Sequence, residues 1–168
     1  MDATELRALQ APIKQRYRDD PAAARVPARA EARLDADAIA CTVPGWHGET
    51  SAGLHPAAGG DGSRACSADM LLEALVACAG VTLRAVATAM GIAIRGGRIV
   101  AEGGWDARGT LGIDRSVPVG LTDIALRFEL DTDAPAEQQA RLIATTERYC
   151  VILQTLKAPP HIELGPAS

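Results

Sequence analysis

Apolar side chains recur along this chain with two different periods, and the switches between them divide it into elements. Leu6, Leu9, Ile13 and Tyr17 stand three or four residues apart, which predicts an amphipathic helix over residues 3–18, capped by Thr4 and ending near Pro21 despite Pro12. Between residues 26 and 43 Ala or Leu alternates with Arg and Glu, the chain turns at Asp35-Ala36-Asp37, and it continues through Ile39, Cys41 and Val43. That is the pattern of a β-hairpin. Residues 44–66 carry Pro44, Gly45, Gly48, Gly53, Pro56 and the run Gly59-Gly60-Asp61-Gly62, so they read as a flexible loop with a short strand near residue 50.

Ser67 stands as a cap before Met70, Leu71, Leu72, Leu75, Val76, Val81, Leu83, Val86 and Met90. A helix apolar on nearly every side belongs in the middle of a protein. After Gly91 a strand is expected around residues 92–105, and Ile124, Leu126, Phe128 and Leu130 place a second strand's apolar side chains on one face. Asp133-Ala134-Pro135 opens another helix, with Leu142, Ile143, Thr146, Cys150 and Leu153 on one stripe, and a short strand over residues 161–164 closes the chain. Helix, strands, central helix, strands, helix, strand is an α+β order without βαβ repetition. The glycines at 59, 60 and 62 match neither a dinucleotide fingerprint nor a phosphate loop.

Length limits the 168 residues to one domain, 1–168, and aromatics at 3% leave the core to Ala, Val, Leu and Ile. A net charge of −4 gives no electrostatic reason to approach nucleic acid or an anionic membrane. The first residues, Met1-Asp2-Ala3-Thr4-Glu5, lack the basic and apolar regions of a secretory signal, which predicts a cytoplasmic location. The apolar stretch 70–94 contains Glu73, Arg84 and two glycines and reads as a core helix rather than a membrane span. Glu73, on so apolar a helix, is expected to pair with an arginine or face an opening.

Chemistry is concentrated in the cysteines. Cys41, Cys66, Cys78 and Cys150 are far apart, with no C-x-x-C and no histidines at zinc-finger spacing. Taken singly, Cys78 and Cys150 are as readily small core residues as reactive thiols. Two apolar helices packed together would nevertheless bring both thiols to one interface.

The segment Ser67-Ala68-Asp69-Met70-Leu71-Leu72-Glu73-Ala74-Leu75-Val76-Ala77-Cys78 and the segment Glu147-Arg148-Tyr149-Cys150-Val151-Ile152-Leu153-Gln154-Thr155-Leu156 resemble the two cysteine motifs of the OsmC/Ohr family. The resemblance runs from about Val26 to Leu164, with residues 1–22 as an N-terminal helical extension. It implies an α+β fold with antiparallel sheets around a long central cysteine-bearing helix and a second, C-terminal cysteine-bearing helix. It also implies an intertwined homodimer with active sites at the interface and no metal or organic cofactor.

The implied activity is reduction of organic hydroperoxides, with hydrogen peroxide as a second candidate substrate, through a sulfenic acid and a disulfide that an external dithiol reduces. Cys78 would attack and Cys150 resolve. A mid-helix cysteine receives no help from its own helix N-terminus, so a nearby cation is expected. In the family an arginine of the first hairpin, held by a carboxylate before the first-cysteine helix, fills that role. Position assigns it to Arg33, with Arg29 as fallback, and the carboxylate to Asp69, where the family's Pro-Glu is replaced by Ala68-Asp69. Asp69 is one methylene shorter than Glu, which weakens a bidentate clamp.

Two other readings stand beside this one: a non-catalytic binding or structural protein of the same fold with inert core cysteines, and a metal-binding regulator using Cys66, Cys78 and His55. His55 and the glycine run are candidates for a substrate rim, and Trp46 and Trp105 for pocket walls.

Overall fold

The computed structural model describes residues 1–46, 48–160 and 162. Helix α1 (Ala3–Asp19) is capped by Asp2 rather than Thr4: the Asp2 carboxylate accepts from the amides of Thr4 and Glu5, and Glu5 reaches back to the Asp2 amide. This reciprocal arrangement satisfies amides that the first helical turn leaves without partners.

Three strands follow, β1 (Arg33–Leu34), β2 (Ala40–Gly45) and β3 (Gly48–Gly53), in one antiparallel sheet of order β1-β2-β3. The hairpin turn lies where the sequence places it, because Asp35 Oδ1 accepts from the amides of Asp37 and Ala38. Its first strand is only two residues long, however, with Arg33 opposite Thr42 and Leu34 opposite Cys41.

The glycine run is an ordered turn and not a flexible loop. The amides of Ala58 and Gly60 both donate to the His55 carbonyl, and a Cβ on Gly60 would sit 1.7 Å from the Leu54 carbonyl oxygen. Only glycine fits that approach.

Helix α2 (Ser67–Met90) follows the predicted span, although Cys66 takes the cap position and supplies no side-chain hydrogen bond. Gly91, with φ of 68°, ends it in the left-handed conformation. By length and composition α2 is able to cross a membrane, yet Leu75, Ala79, Leu83 and Ala87 form one buried stripe along it. That stripe packs against the antiparallel pair β4 (Gly96–Gly104) and β5 (Thr122–Asp131), and against α4 (Ala136–Tyr149) and α5 (Val151–Thr155); a short α3 (Ala107–Thr110) lies between the strands.

Strand β5 alternates as its sequence predicts, with Ile124, Leu126, Phe128 and Leu130 half-buried and their neighbours exposed. Phe128, the chain's single phenylalanine, packs against both buried clusters of the core. The strand expected at residues 161–164 lies outside the described residues, save Ile162, which belongs to no strand.

The C-terminal helical stretch departs from the sequence pattern. The stripe through Leu142, Thr146, Cys150 and Leu153 predicts a single helix, but the helix stops at Tyr149, Cys150 adopts an extended conformation (φ −71°, ψ 107°), and α5 starts at Val151. Cys150 is therefore a junction residue and not a helical one.

Candidate functional site

Cys78 lies on α2 beside the junction between α4 and α5, and the two thiols share one apolar cluster with Leu75, Ala79, Ile99, Leu126, Ile152 and Leu153. Cys150 is wholly buried and Cys78 half-buried; both carry free thiols.

The break at Cys150 decides the polarity of this cluster. In an unbroken helix the amides of Val151, Ile152 and Leu153 would donate to the carbonyls of Glu147, Arg148 and Tyr149. Here the Cys150 amide still closes α4 on Thr146 O at 2.9 Å, and its carbonyl accepts the first α5 bond from Gln154 N at 3.0 Å. The three intervening amides are released towards the sulfurs: those of Val151 and Ile152 to Cys78, those of Ile152 and Leu153 to Cys150. Gln154 Nε2 donates to the orphaned Glu147 carbonyl at 2.7 Å, so the interruption leaves that acceptor satisfied.

Electrostatically the two cysteines diverge. Burial pushes the Cys78 thiol up, but the Ile152 amide, the Cys150 thiol, the Thr82 hydroxyl and the Val151 amide together outweigh it and hold Cys78 below the ordinary thiol range. Burial pushes Cys150 up, and the neighbouring Cys78 adds to that rise against the opposing amides of Leu153 and Ile152. Of two interacting thiols, Cys78 is thus the one that ionises first. A thiolate next to a neutral thiol is the arrangement that separates an attacking sulfur from a resolving one.

Cys78 therefore obtains its stabilisation from amides, the Cys150 thiol and a hydroxyl, and no arginine of its own chain contributes to the shift. Arg33 pairs with Glu49 on the exposed face of the three-stranded sheet, and Arg29 pairs with Glu31 in solvent. Asp69 is exposed in the first turn of α2. Nine residues separate it from Cys78, about 13 Å of helix rise and half a turn round the axis. The single chain brings neither Arg33 nor Asp69 to the thiol. Glu73 is exposed, with no ion pair among the described residues.

The expected trio of Cys66, Cys78 and His55 does not form either. Cys66 caps α2 twelve residues from Cys78, roughly 18 Å along the axis. Among the described residues no group of three His, Cys, Asp or Glu side chains is placed to hold one metal ion. Trp46 is exposed, while Trp105 meets His55 edge-on at the far end of α2, away from the cysteine pair.

Thr82 and Gln154 are the residues that the sequence pattern did not single out. Thr82 was legible in principle, one helical turn after Cys78 on the same face. Gln154 takes its meaning from the break, which the apolar stripe conceals.

An OsmC-like protein family model matches residues 60–165, which include both cysteines and all the elements that surround them. The chain belongs to the OsmC-like family. Solved structures agree on the fold: an OsmC-like protein from Mycoplasma pneumoniae superposes with a TM-score of 0.64 at 20% identity, covering 79% of this chain and 88% of that one. An organic hydroperoxide resistance protein OsmC from Legionella pneumophila, also described as a predicted redox protein, superposes with a TM-score of 0.57 at 13% identity, covering 79% and 92%. No curated protein sequence matches the chain.

Proposed function

We propose that this OsmC-like protein is a two-cysteine thiol peroxidase that reduces organic hydroperoxides. The observation that carries the reading is the pairing of a Cys78 held below the ordinary thiol range with a buried, neutral Cys150 in the same cluster. An inert core would leave Cys78 with an ordinary or raised pKa, since burial alone raises it.

In the proposed cycle the Cys78 thiolate attacks the distal oxygen of the hydroperoxide. The O–O bond breaks, the alkoxide takes a proton and leaves as an alcohol, and Cys78 becomes a sulfenic acid. Released from its thiolate neighbour, Cys150 loses its proton and attacks the sulfenic sulfur. The S–O bond breaks, water leaves, and the disulfide forms. An external dithiol then reduces that disulfide by exchange. The apolar surroundings of Cys78, which include Ile99, Leu126 and Leu153, favour an alkyl or aryl hydroperoxide over hydrogen peroxide.

A homodimer belongs to the same reading. The chain exposes 12550 Å², against about 7900 Å² for a compact monomer of its mass. Ala74, Ala77 and Val81 are exposed on the side of α2 turned away from its buried stripe, and Leu34 and Ile39 are exposed beside the hairpin turn. A second copy accounts for both surfaces, and it is the route by which Arg33 and Asp69 would reach a thiolate.

The test is free-thiol loss after mixing reduced protein with cumene hydroperoxide, with products identified by mass spectrometry. Wild type is expected to form the Cys78–Cys150 disulfide rapidly. Cys78→Ser should consume no peroxide, and Cys150→Ser should stop at a sulfenic acid on Cys78. Slow oxidation indifferent to both substitutions would sink the proposal.

A further inference from the structure

A cavity of about 360 Å³ opens at the N-terminal end of α2. Its walls are largely apolar: Leu71 from the helix, Trp105 from the segment after β4, and Val119 and Leu121 from the segment before β5. His55, Cys66, Ser67 and Thr110 supply the polar chemistry. Cys66 is about 18 Å of helix from Cys78, so this cavity does not belong to the peroxide site.

The position of His55 and the tautomer of its neutral ring are both set by the local fold. Its carbonyl accepts from Ala58 N at 2.8 Å and Gly60 N at 3.1 Å, in the turn that only a glycine at position 60 permits. Its Nδ1 accepts from Ala57 N at 3.1 Å, which leaves the neutral ring's proton on Nε2. The ring meets Trp105 edge-on, with centroids 5.4 Å apart. The cavity therefore presents the His55 imidazole N–H, the hydroxyls of Ser67 and Thr110, an indole wall, aliphatic walls and a thiol.

We propose that this cavity binds a small, uncharged aryl α,β-unsaturated carbonyl compound, with Cys66 placed to add to it. A volume of about 360 Å³ is at the small end of ligand pockets and suits a small, one-ring molecule. The aromatic ring lies against Trp105 and Leu71, and the carbonyl oxygen accepts from His55 Nε2–H. In the covalent step the Cys66 thiolate forms an S–C bond to the β-carbon, the C=C electrons shift to give an enolate, and the α-carbon takes a proton from water. No oxidant or reductant is required, and the step is independent of the Cys78–Cys150 cycle.

Benzylideneacetone is the probe, and its saturated counterpart 4-phenylbutan-2-one is the unreactive competitor. Adduct formation on the reduced full-length protein is followed by mass spectrometry, with peptide fragmentation to separate Cys66 from Cys78. The expected result is an adduct at Cys66 whose rate saturates with probe concentration and falls severalfold in excess competitor. Leu71→Trp, which fills the cavity, should slow Cys66 at least tenfold while leaving disulfide formation between Cys78 and Cys150 unchanged. An absent Cys66 adduct, or a rate at Cys66 linear in probe and indifferent to the competitor, overturns the proposal. Because the competition is measured on wild type, it tests the cavity independently of how the variant folds.

Discussion

Leu75, Ala79, Leu142 and Cys150 are withdrawn from solvent, whereas Leu34, Ile39 and Trp46 at the other end of the chain stand 86%, 76% and 95% exposed. Both regions carry large apolar residues in or beside secondary-structure elements. In the first, α2 meets a two-stranded sheet and two helices, and each apolar stripe finds another within the chain. In the second, the three-stranded sheet has Ala52 as its single buried residue. A strand's hydrogen bonds are satisfied by its neighbours, but its side chains need a second layer. The C-terminal region has that layer in itself, and the N-terminal sheet lacks one among the described residues; the proposed second copy would supply it.

Stability should expose this contrast most strongly. Leu142→Ala removes a fully buried side chain and is expected to cost about 2–5 kcal/mol in chemical denaturation. Leu34→Ala should cost less than about 0.5 kcal/mol in a dilute, monomeric chain. A larger loss that grows with protein concentration would identify Leu34 as a dimer contact. Placing charge on that surface with Leu34→Glu and Ile39→Glu is expected to shift the protein from dimer to monomer in sedimentation at micromolar concentration. An unchanged sedimentation coefficient would assign the dimer interface elsewhere.

Reactivity offers a finer comparison between amide and cation as the support of the thiolate. Ile152→Pro deletes one amide that lowers the Cys78 pKa while keeping a residue tolerated in a first helical turn. Losing a hydrogen bond to a charged group should slow Cys78 alkylation about tenfold at neutral pH, read with iodoacetamide.

In the wild type, alkylation should rise with pH and level off above the Cys78 pKa, at a midpoint below that of an ordinary thiol, because its folded pKa is lowered. Cys150→Ala should move that midpoint upward, since the Cys150 thiol is one of the groups that lower it. A midpoint unmoved by both changes would remove the amides and the resolving thiol from the account.

Arg33→Ala is the mildest change. Its pairing with Glu49 is exposed, so stability should fall by less than about 1 kcal/mol. If a second copy delivers Arg33 to the thiolate, the Cys78 midpoint rises in this variant. An unmoved midpoint would leave the amides and the thiol pair as the whole support.

Much of this protein was determined locally. The periods of α2 and β5 are set by which side chains must leave water, and Gly91 ends α2 because glycine accepts the left-handed conformation without penalty. Both cysteines of the site stood out as thiols within apolar segments. What the one-dimensional pattern could not carry was the break at Cys150, because an apolar stripe is compatible with one helix or with two that share an axis. Tertiary packing chose two: only with α2 alongside do the amides of Val151 and Ile152 gain the Cys78 sulfur to face in place of the carbonyls they leave. The start of α5 beside Cys78 was hidden for the same reason, since amides supplied to Cys78 by another element are invisible in the sequence around Cys78. The cavity at His55, Cys66 and Trp105 likewise gathers residues fifty positions apart, a proximity set by the fold and by no local pattern.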